Sequence, residues 1–459
     1  MNAFQDVFDK QKAYFATDVT KTYEWRIDQL DRLIRMLKEN DKRFSEASRR
    51  DFKTALQENI FEVAASIGSI ELTKSQVKEW MKPVEAPLPK FLAASGHEGI
   101  VYREPYGVTL IICPFNGPLL LSLRPAAAAL SAGNPCILKL SQAIAATDEL
   151  LLGLIPKYFE PEALTAVSGN RETVTQLLQL PFDFIFLTGS VNVGKVVMKA
   201  AAEHLTPVLL ELGGQNPAIV DETANLPDAA KKIVWGAMAW GGQWCTSPGY
   251  AAVHESVAEP FVAQCKKAVV DLYGKDPKNN SDYSRIVSPS DVKRLASLID
   301  PSKVVSGGKF DESARYLEPT ILYPVLWSDK VMEDEIFGPI LPILTYSDLA
   351  NLLLKIKSLP KPLAGYVFSR NQQTINRVLS SVSFGGGAVN QTNIFLFIET
   401  MPYGGVGSSG IGNYYGKYGF DSLTHAKSVL VSPPDVAIDH LFPPYNIEKV
   451  QALNQWFDY

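Results

Sequence analysis

Apolar residues recur with helical spacing in the first 80 residues of the chain. They lie three or four positions apart, with charged residues between them, at Ile27, Leu30, Leu33, Ile34 and Leu37. We therefore expect the chain to begin with amphipathic helices. A stretch bounded by Pro83 and Pro89 then breaks the pattern and predicts a connection.

From residue 107 onward, short and nearly unbroken apolar strands alternate with helices, as in a sheet that is covered on both faces. In the first half, strands are predicted at 107–114, 135–140, 182–188 and 207–212, with helices at 121–132 and 143–159. In the second half, strands are predicted at 216–220, 251–253, 340–345 and 364–368, with helices near 225–240 and 256–272.

This alternation predicts an α/β fold with two doubly wound parallel-sheet domains. Two α/β domains, preceded by the N-terminal helices, are the simplest interpretation. The tail, 433–459, carries an apolar helical stripe. The stripe favours docking on the protein itself or on a dimer partner over the alternative, binding to a membrane surface.

Composition narrows the choice of partners and compartment. A length of 459 residues suits two or three domains, and a net charge of −5 without a basic run argues against nucleic acid. The four cysteines have no metal-ligand spacing and are few, which predicts no metal site and a reducing, cytoplasmic environment. No apolar stretch is long enough to span a bilayer, so no integral membrane segment is expected.

The most informative cysteine is Cys245, which ends the run Gly241-Gly242-Gln243-Trp244-Cys245. Two glycines allow a sharp turn that can present one thiol at the mouth of a pocket. A thiolate there would be a covalent nucleophile. The alternative is a cysteine that serves as a small apolar core residue.

Two more polar residues lie among apolar neighbours. Glu211 precedes Gly213 and Gly214 in an apolar run, where burial would raise its pKa and make it a candidate general base. A structural ion pair is equally consistent with this position. Asn116 follows a predicted strand, and its amide could donate to a developing oxyanion, although asparagine is also common in turns.

A glycine-containing turn links a predicted strand to a helix at Gly189 and Gly194. The free N–H groups at a helix start suit a pyrophosphate, but the spacing differs from the usual dinucleotide fingerprint, so a plain turn is an equal alternative. Lys139 ends another strand, at the sheet edge where cofactors bind. It could bind a ribose or a 2′-phosphate, or it could be an ordinary solvated lysine.

Taken together, these segments resemble the aldehyde dehydrogenase superfamily, and most closely its class 3 branch, from about residue 20 to 432. The motifs that carry the resemblance stand in the family's order: Phe115-Asn116, Leu138-Lys139, Thr188-Gly189-Ser190 with Gly194, Glu211-Leu-Gly-Gly214, Gly242-Gln243-x-Cys245, Glu335-x-Phe337-Gly338-Pro339 and Pro402-Tyr-Gly-Gly-Val-Gly407.

The resemblance implies NAD(P)-dependent oxidation of an aldehyde to its acid. Cys245 would attack the aldehyde, Asn116 and the Cys245 N–H would hold the oxyanion, and Glu211 would activate water to hydrolyse the thioester. The cofactor, NAD or NADP, would be bound by Lys139, Gln142, Thr188, Gly189, Ser190, Gly194, Glu335 and Phe337.

Departures from the family pattern carry further expectations. Gln142 stands where members often have an acid, so NADP should be accepted at least as well as NAD. Phe115 replaces the usual Trp, Gly117 stands where class 3 members commonly have Tyr, and Trp244 replaces a small residue. These changes predict a reshaped pocket for a hydrophobic, preferentially aromatic aldehyde.

The resemblance also implies N-terminal helices and a dinucleotide-binding domain in residues 1–92 and 106–209, a catalytic domain in 210–400, and oligomerisation strands at 93–105 and 420–432. Val429–Val431 would form an exposed edge that needs a partner, so a homodimer is expected. Two other functions stay open: a CoA-acylating dehydrogenase, in which a thiol takes the thioester instead of water, and a non-catalytic binding or structural relative.

Overall fold

The computed structural model describes residues 2–459, apart from the side chains of Gln455 and Phe457. The α-helices are α1 (Gln5–Phe15), α2 (Tyr23–Glu39), α3 (Asp41–Asp51), α4 (Leu56–Trp80), α5 (Lys90–Ala94), α6 (Leu120–Ala132), α7 (Ala145–Tyr158), α8 (Arg171–Leu177), α9 (Val191–Ala202), α10 (Leu226–Met238), α11 (Ala258–Tyr273), α12 (Pro289–Ala296), α13 (Leu349–Lys357), α14 (Gln372–Ser381), α15 (Gly416–Ser422) and α16 (Ile447–Ala452).

The strands are β1 (Val84–Ala86), β2 (Glu98–Pro105), β3 (Thr109–Ile112), β4 (Cys136–Lys139), β5 (Leu164–Val167), β6 (Phe184–Thr188), β7 (Val208–Glu211), β8 (Asn216–Val220), β9 (Pro248–His254), β10 (Val304–Ser306), β11 (Phe310–Asp311), β12 (Tyr316–Leu317), β13 (Thr320–Leu322), β14 (Ile340–Tyr346), β15 (Ala364–Phe368), β16 (Gly386–Val389), β17 (Gly410–Ile411) and β18 (Thr424–Val431).

The N-terminal helices form as their apolar spacing predicts. In α2 the stripe that includes Leu30, Leu33 and Leu37 is fully buried, and Thr22 caps the helix by accepting a hydrogen bond from the Trp25 N–H at 3.2 Å. Helix α2 packs on α4 and α6, and α3 packs on α4 and α7. These helices therefore form a layer on α6 and α7, which pack on strands of the first sheet.

The first sheet has the strand order β17-β7-β6-β3-β4-β5. Its pairs are parallel, except that β17 runs antiparallel to β7 at the edge. Strands β3, β4 and β6 are buried along their whole length, as predicted for a sheet with helices on both faces. The carboxyl ends of the parallel strands consequently meet at one edge.

The second sheet has the order β10-β13-β14-β9-β8-β15-β16 and is parallel except for β10. Two doubly wound sheets confirm the predicted fold class. The predicted division between residues 209 and 210 is wrong, however, because it falls inside β7. That strand pairs with β6 from Ile185↔Val208 to Thr188↔Glu211, so Glu211 belongs to the first sheet.

In the small third sheet, of order β1-β2-β18, the edge strand β18 runs antiparallel to β2, although the two strands are far apart in the chain. The strand expected from residue 93 starts only at Glu98, because the chain first completes α5 and turns at Gly96 with φ +79°. The strand expected from residue 420 starts at Thr424, since Phe420 still lies in α15. Val429, Leu430 and Val431 are exposed on this edge.

The tail folds back on α5. Phe91 packs edge-to-face against the Trp456 ring with centroids 5.0 Å apart, and Lys90 pairs with Asp458 at 2.6 Å. The apolar residues Ile447 and Val450 face outward on α16. Within residues 2–459, no helix combines the length and the apolarity that a membrane crossing requires.

Candidate active site

The carboxyl edge of the first sheet gathers residues that lie far apart in the sequence. Lys139 ends β4, Thr188 ends β6 and Glu211 ends β7, and Thr188 is the direct ladder partner of Glu211. Asn116 follows the end of β3 and is buried. The parallel order of the strands therefore places these side chains at one edge.

The segment 239–247, here called the cysteine loop, presents Cys245. It leaves α10 through three consecutive residues of positive φ: Trp240 (+53°), Gly241 (+62°) and Gly242 (+68°). A Cβ on Gly242 would lie 2.3 Å from the carbonyl carbon of Gly338. Glycine therefore lets the cysteine loop lie directly against the loop that carries Glu335.

Side chains from the second sheet, and one from the loop itself, hold the cysteine loop in place. The Asn216 amide donates to the carbonyl oxygens of Cys245 and Ser247, both at 2.8 Å. The Tyr366 hydroxyl donates to the Thr246 carbonyl at 2.6 Å, and Gln243 donates to the Trp240 carbonyl at 2.9 Å. Sequence reasoning assigned no role to these three side chains. The Gly-Gly-Gln run was a signal for Gln243, whereas the strand residues Asn216 and Tyr366 gave none.

Cys245 is half-buried, whereas Cys113, Cys136 and Cys265 are buried. Its Sγ lies 3.3 Å from the Tyr403 hydroxyl. Burial raises the pKa of the thiol to about 12; the hydrogen bond to Tyr403 opposes this shift, and the charges of Glu335 and Glu211 add to it. Both carboxyl groups therefore act electrostatically on the sulfur.

Glu211 is 2% exposed, and neither of its carboxyl oxygens has a hydrogen-bond partner among the described residues. Burial raises its pKa well above the ordinary value. No cation in the described part of the chain forms an ion pair with it, so the ion-pair alternative is wrong. A buried carboxyl with free oxygens can accept a proton from water.

Glu335 lies on the loop that packs against the cysteine loop, and its carboxyl group faces the backbone of the turn at Gly213. A Cβ on Gly213 would stand 2.1 Å from Glu335 Oε2, so only glycine admits the carboxyl group here. Burial raises the pKa of Glu335 to about 8, and its Oε1 has no partner in the described structure. Two residues further, Phe337 has φ +51° and packs edge-to-face on Phe115 at 5.7 Å.

The residues predicted to bind a dinucleotide surround the start of α9. Ser190 caps this helix, and the N–H groups of its first turn suit a phosphate. Thr188 Oγ1 is buried without a partner, which leaves a polar atom for a ligand. Gly194 allows α9 to approach Leu212, whose side chain would lie 2.9 Å from an added Cβ. Gly189 connects the strand to the cap.

Lys139 ends β4, which is separated from β6 by β3 in the first sheet, and Gln142 follows it in the chain. Lys139 is 7% exposed, and burial lowers the pKa of its ammonium group while the Asp148 charge opposes the shift. Gln142 is exposed just beyond the strand end. The orphaned oxygens of Thr188 and Glu335 and the free start of α9 together fit a pyridine dinucleotide.

Of the three residues predicted to shape the substrate pocket, two pack against aromatic rings and the third lies against an aliphatic side chain. Trp244 lies in an aromatic cluster with Trp235 at 5.7 Å and Phe397 at 6.1 Å, next to Cys245. Phe115 packs between Phe337 and Phe52. Gly117 does not open a space, because an added Cβ would lie 2.9 Å from Leu121, which occupies the position.

The described residues contain no group of three or more His, Cys, Asp or Glu side chains arranged to hold a metal ion. The site instead combines a half-buried cysteine, a free buried carboxyl and an anion-binding helix start. This combination defines a nucleotide-dependent enzyme that uses a nucleophilic cysteine.

Comparisons with known proteins agree with this class. The model of the aldehyde dehydrogenase family matches residues 4–429. The chain is 39% identical to 4,4'-diaponeurosporen-aldehyde dehydrogenase of Staphylococcus aureus, with 97% of each chain covered. It is 36% identical to aldehyde dehydrogenase family 3 member B1 of Mus musculus, covering 99% and 97% of the two chains.

A third relative is the "dimeric NADP-preferring" aldehyde dehydrogenase of Rattus norvegicus, at 38% identity over 94% of this chain and 95% of that protein. The substrate-bound structure of Staphylococcus aureus AldH superposes with a TM-score of 0.96 at 38% identity, with both chains fully covered.

The chain therefore belongs to the aldehyde dehydrogenase family, and its relatives include class 3 members. It is an NAD(P)-dependent enzyme that oxidises an aldehyde, as the sequence motifs predicted.

Proposed function

We propose that Cys245 is the nucleophile and Glu211 the general base in the oxidation of a hydrophobic aldehyde to its carboxylic acid. One observation carries this proposal: Glu211 is a buried carboxyl group whose two oxygens have no partner in the described structure, and its charge acts on the thiol of the half-buried Cys245. Glu211 has no structural partner in the described structure that would explain the cost of burying it.

In the first step the Cys245 thiolate attacks the aldehyde carbon. The new C–S bond forms as the carbonyl π pair moves to oxygen, and the Asn116 amide and the Cys245 N–H donate to this oxyanion. A bound NAD(P)⁺ would supply the hydride acceptor, so that the adduct loses hydride as its oxyanion re-forms the carbonyl group and leaves a thioester on Cys245. Glu211 then removes a proton from water, the resulting hydroxide attacks the thioester carbon, and the C–S bond breaks to release the acid.

The dinucleotide would be held by residues at the carboxyl edge of the first sheet and on the loop that carries Glu335. Thr188, Gly189 and Ser190 would bind its pyrophosphate and nicotinamide end with Gly194 admitting the helix, Lys139 and Gln142 the adenosine ribose, and Glu335 and Phe337 the nicotinamide ribose. Because Gln142 is neutral, it would not repel a 2′-phosphate. NADP should therefore be used at least as well as NAD.

The surroundings of the thiol favour an apolar substrate. Beside the aromatic cluster of Trp244, the rings of Phe61 and Phe397 contact each other with centroids 4.4 Å apart. Within five positions of these two residues in the chain, four apolar side chains are exposed: Leu56, Ile60, Ile394 and Ile398. An apolar rim next to an aromatic wall suits an aromatic or otherwise bulky aldehyde.

The experiment is an assay of cofactor reduction by the purified protein with benzaldehyde, cinnamaldehyde, long aliphatic aldehydes and 4,4'-diaponeurosporen-aldehyde, with NAD and NADP compared as kcat/KM. Turnover should vanish in Cys245→Ala, and the free acid should be the product. An acyl-CoA formed with added CoA would instead support the acylating alternative. An inert Cys245 with no turnover would support the non-catalytic one.

We also propose a homodimer formed through the edge strand β18. Its inner edge pairs with β2 from Thr424↔Pro105 to Val431↔Glu98, while Val429, Leu430 and Val431 are exposed. An exposed apolar edge of this length favours association. Light scattering should give a molar mass twice that of one chain. In the Leu430→Lys variant the measured mass should move toward that of a single chain. A monomeric wild-type protein would contradict the proposal.

A further inference from the structure

The Cys245 sulfur forms a hydrogen bond to a side chain that has no role in the mechanism above. Tyr403 Oη lies 3.3 Å from Cys245 Sγ, although the two residues are 158 positions apart in the chain. The Tyr403 ring is buried, so water has little access to the hydroxyl from that side. The thiol and the phenol thus face each other in a sheltered environment.

Tyr403 is held firmly enough to fix the direction of this hydroxyl. Its backbone N–H and carbonyl pair with those of Tyr414 at 3.0 and 2.8 Å. Its ring stacks on Tyr415 with centroids 4.9 Å apart and planes 12° from parallel. Tyr415 in turn accepts a hydrogen bond from Arg124 at 2.8 Å, and Arg124 pairs with Glu399 at 3.0 Å.

We propose that Tyr403 is a further catalytic residue, whose hydroxyl donates a hydrogen bond to the Cys245 thiolate. Tyr415 acts as a positioning residue through the stack, because it touches the ring of Tyr403 but not the sulfur. This inference rests on the proposed role of Cys245 as the nucleophile.

The hydrogen bond would act wherever sulfur carries negative charge. Before attack, it stabilises the thiolate and so increases the fraction that can react. When the C–S bond forms, the sulfur lone pair becomes the bond and the hydrogen bond weakens. When the thioester adduct collapses, the C–S bonding pair returns to sulfur as a thiolate, and the Tyr403 hydroxyl stabilises this leaving group.

The burial of the thiol makes this donor important. Desolvation by itself raises the thiol pKa, and the nearby carboxylates raise it further, whereas the hydroxyl of Tyr403 is the side-chain donor that lowers it. A hydrogen bond to a charged group is worth about 1.5–3 kcal/mol, which corresponds to a tenfold or greater effect on the thiolate population.

The test compares Tyr403→Phe with a matched control, Tyr414→Phe. Tyr414 belongs to the same aromatic group, with its ring centroid 5.7 Å from that of Tyr403, but its buried hydroxyl has no hydrogen-bond partner in the described structure. Both changes remove one buried hydroxyl. Only the first removes a contact with sulfur.

The readout is the rate at which iodoacetamide alkylates Cys245 in the full-length enzyme. Peptide mass spectrometry measures this rate from about pH 6 to about pH 10. In Tyr403→Phe the rate should fall about tenfold at each pH and the profile should move about one unit toward higher pH. Tyr414→Phe should react like the wild type. A burst of reduced cofactor should also appear in Tyr403→Phe, since thioester breakdown becomes slower.

An alkylation rate and profile in Tyr403→Phe equal to those of the wild type would overturn the inference. A second variant guards against a folding defect: 3-fluorotyrosine at position 403 keeps the ring and makes the hydroxyl a stronger donor, so alkylation should become faster. Unchanged or slower alkylation there contradicts donation to sulfur. Turnover that survives in Cys245→Ala would instead refute the proposed nucleophile, independently of Tyr403.

Discussion

Two glutamates are buried in this protein in opposite ways. Glu62, on α4, is 0% exposed, and its Oε2 pairs with the equally buried Lys53 at 2.5 Å. Its Oε1 accepts hydrogen bonds from the N–H groups of Leu119 at 2.8 Å and Leu120 at 3.3 Å, where α6 begins. Glu211 is equally shielded but has no partner for either oxygen among the described residues.

The difference separates a structural carboxylate from a reactive one. Glu62 has a counter-ion and two donors, so its charge is compensated and it ties the N-terminal helices to the start of α6. Glu211 lacks compensation, and burial therefore favours its neutral form and raises its pKa. A fold keeps such a group at the expense of stability, and the reaction proposed here is what uses it.

The largest expected effect is on activity, at Glu211. The change Glu211→Gln removes the proton acceptor, so kcat should fall about 10²- to 10⁴-fold. Chemical denaturation should show unchanged or slightly higher stability, because a neutral amide of the same shape loses no partner. A variant that is active but less stable than the wild type would reverse the assignment of the two glutamates.

The next effect is on stability, at Glu62. The change Glu62→Gln leaves the buried Lys53 ammonium without a counter-ion and should lower the free energy of unfolding by about 3 kcal/mol, measured in urea. The matched control is Glu71→Gln on the same helix, whose ion pair with Lys38 is exposed, so stability should barely change. Equal losses in the two variants would show that the buried pair has no special role.

A smaller effect follows from removing both charges of the buried pair. Adding Lys53→Met to Glu62→Gln eliminates the unpaired ammonium group, while the amide oxygen can still accept from the α6 N–H groups. About half of the lost stability should return, and a double-mutant cycle in urea measures the coupling. Additive losses would mean that desolvation of Lys53 is not the cause.

The smallest effect is on the pH dependence of folding stability, to which Glu335 contributes. Its pKa is about 8 in the folded protein, against an ordinary value of 4.5. Between these two values the unfolded chain has released its proton and the folded chain has kept it, so this group's contribution to stability is present below pH 4.5 and decreases as the pH rises toward 8. In the Glu335→Gln variant, Tm should therefore fall less steeply than in the wild type as the pH rises from about 5 to about 8. An unchanged slope would contradict a buried, protonated Glu335.

Much of the fold and part of the site could be predicted from the sequence, because those features are local. Strands β8 and β15 have the predicted bounds, since a short apolar run between turns is visible in the sequence itself. The sharp turn before Cys245 was visible in the same way, because only neighbouring glycines are needed to allow it. The family motifs predicted the fold class and the reaction, and both are confirmed.

Only the tertiary structure decided which groups lack partners and which distant side chains meet. It placed Glu211 in the first sheet without a counter-ion, filled the space at Gly117 with Leu121, and set Tyr403 beside Cys245. The contact between Tyr403 and Cys245 joins residues far apart in the chain, and its geometry depends on how the sheets and helices pack. The spacing of apolar residues determines which elements form, but a buried group's pKa and hydrogen bonds depend on neighbours that only the packed structure brings together.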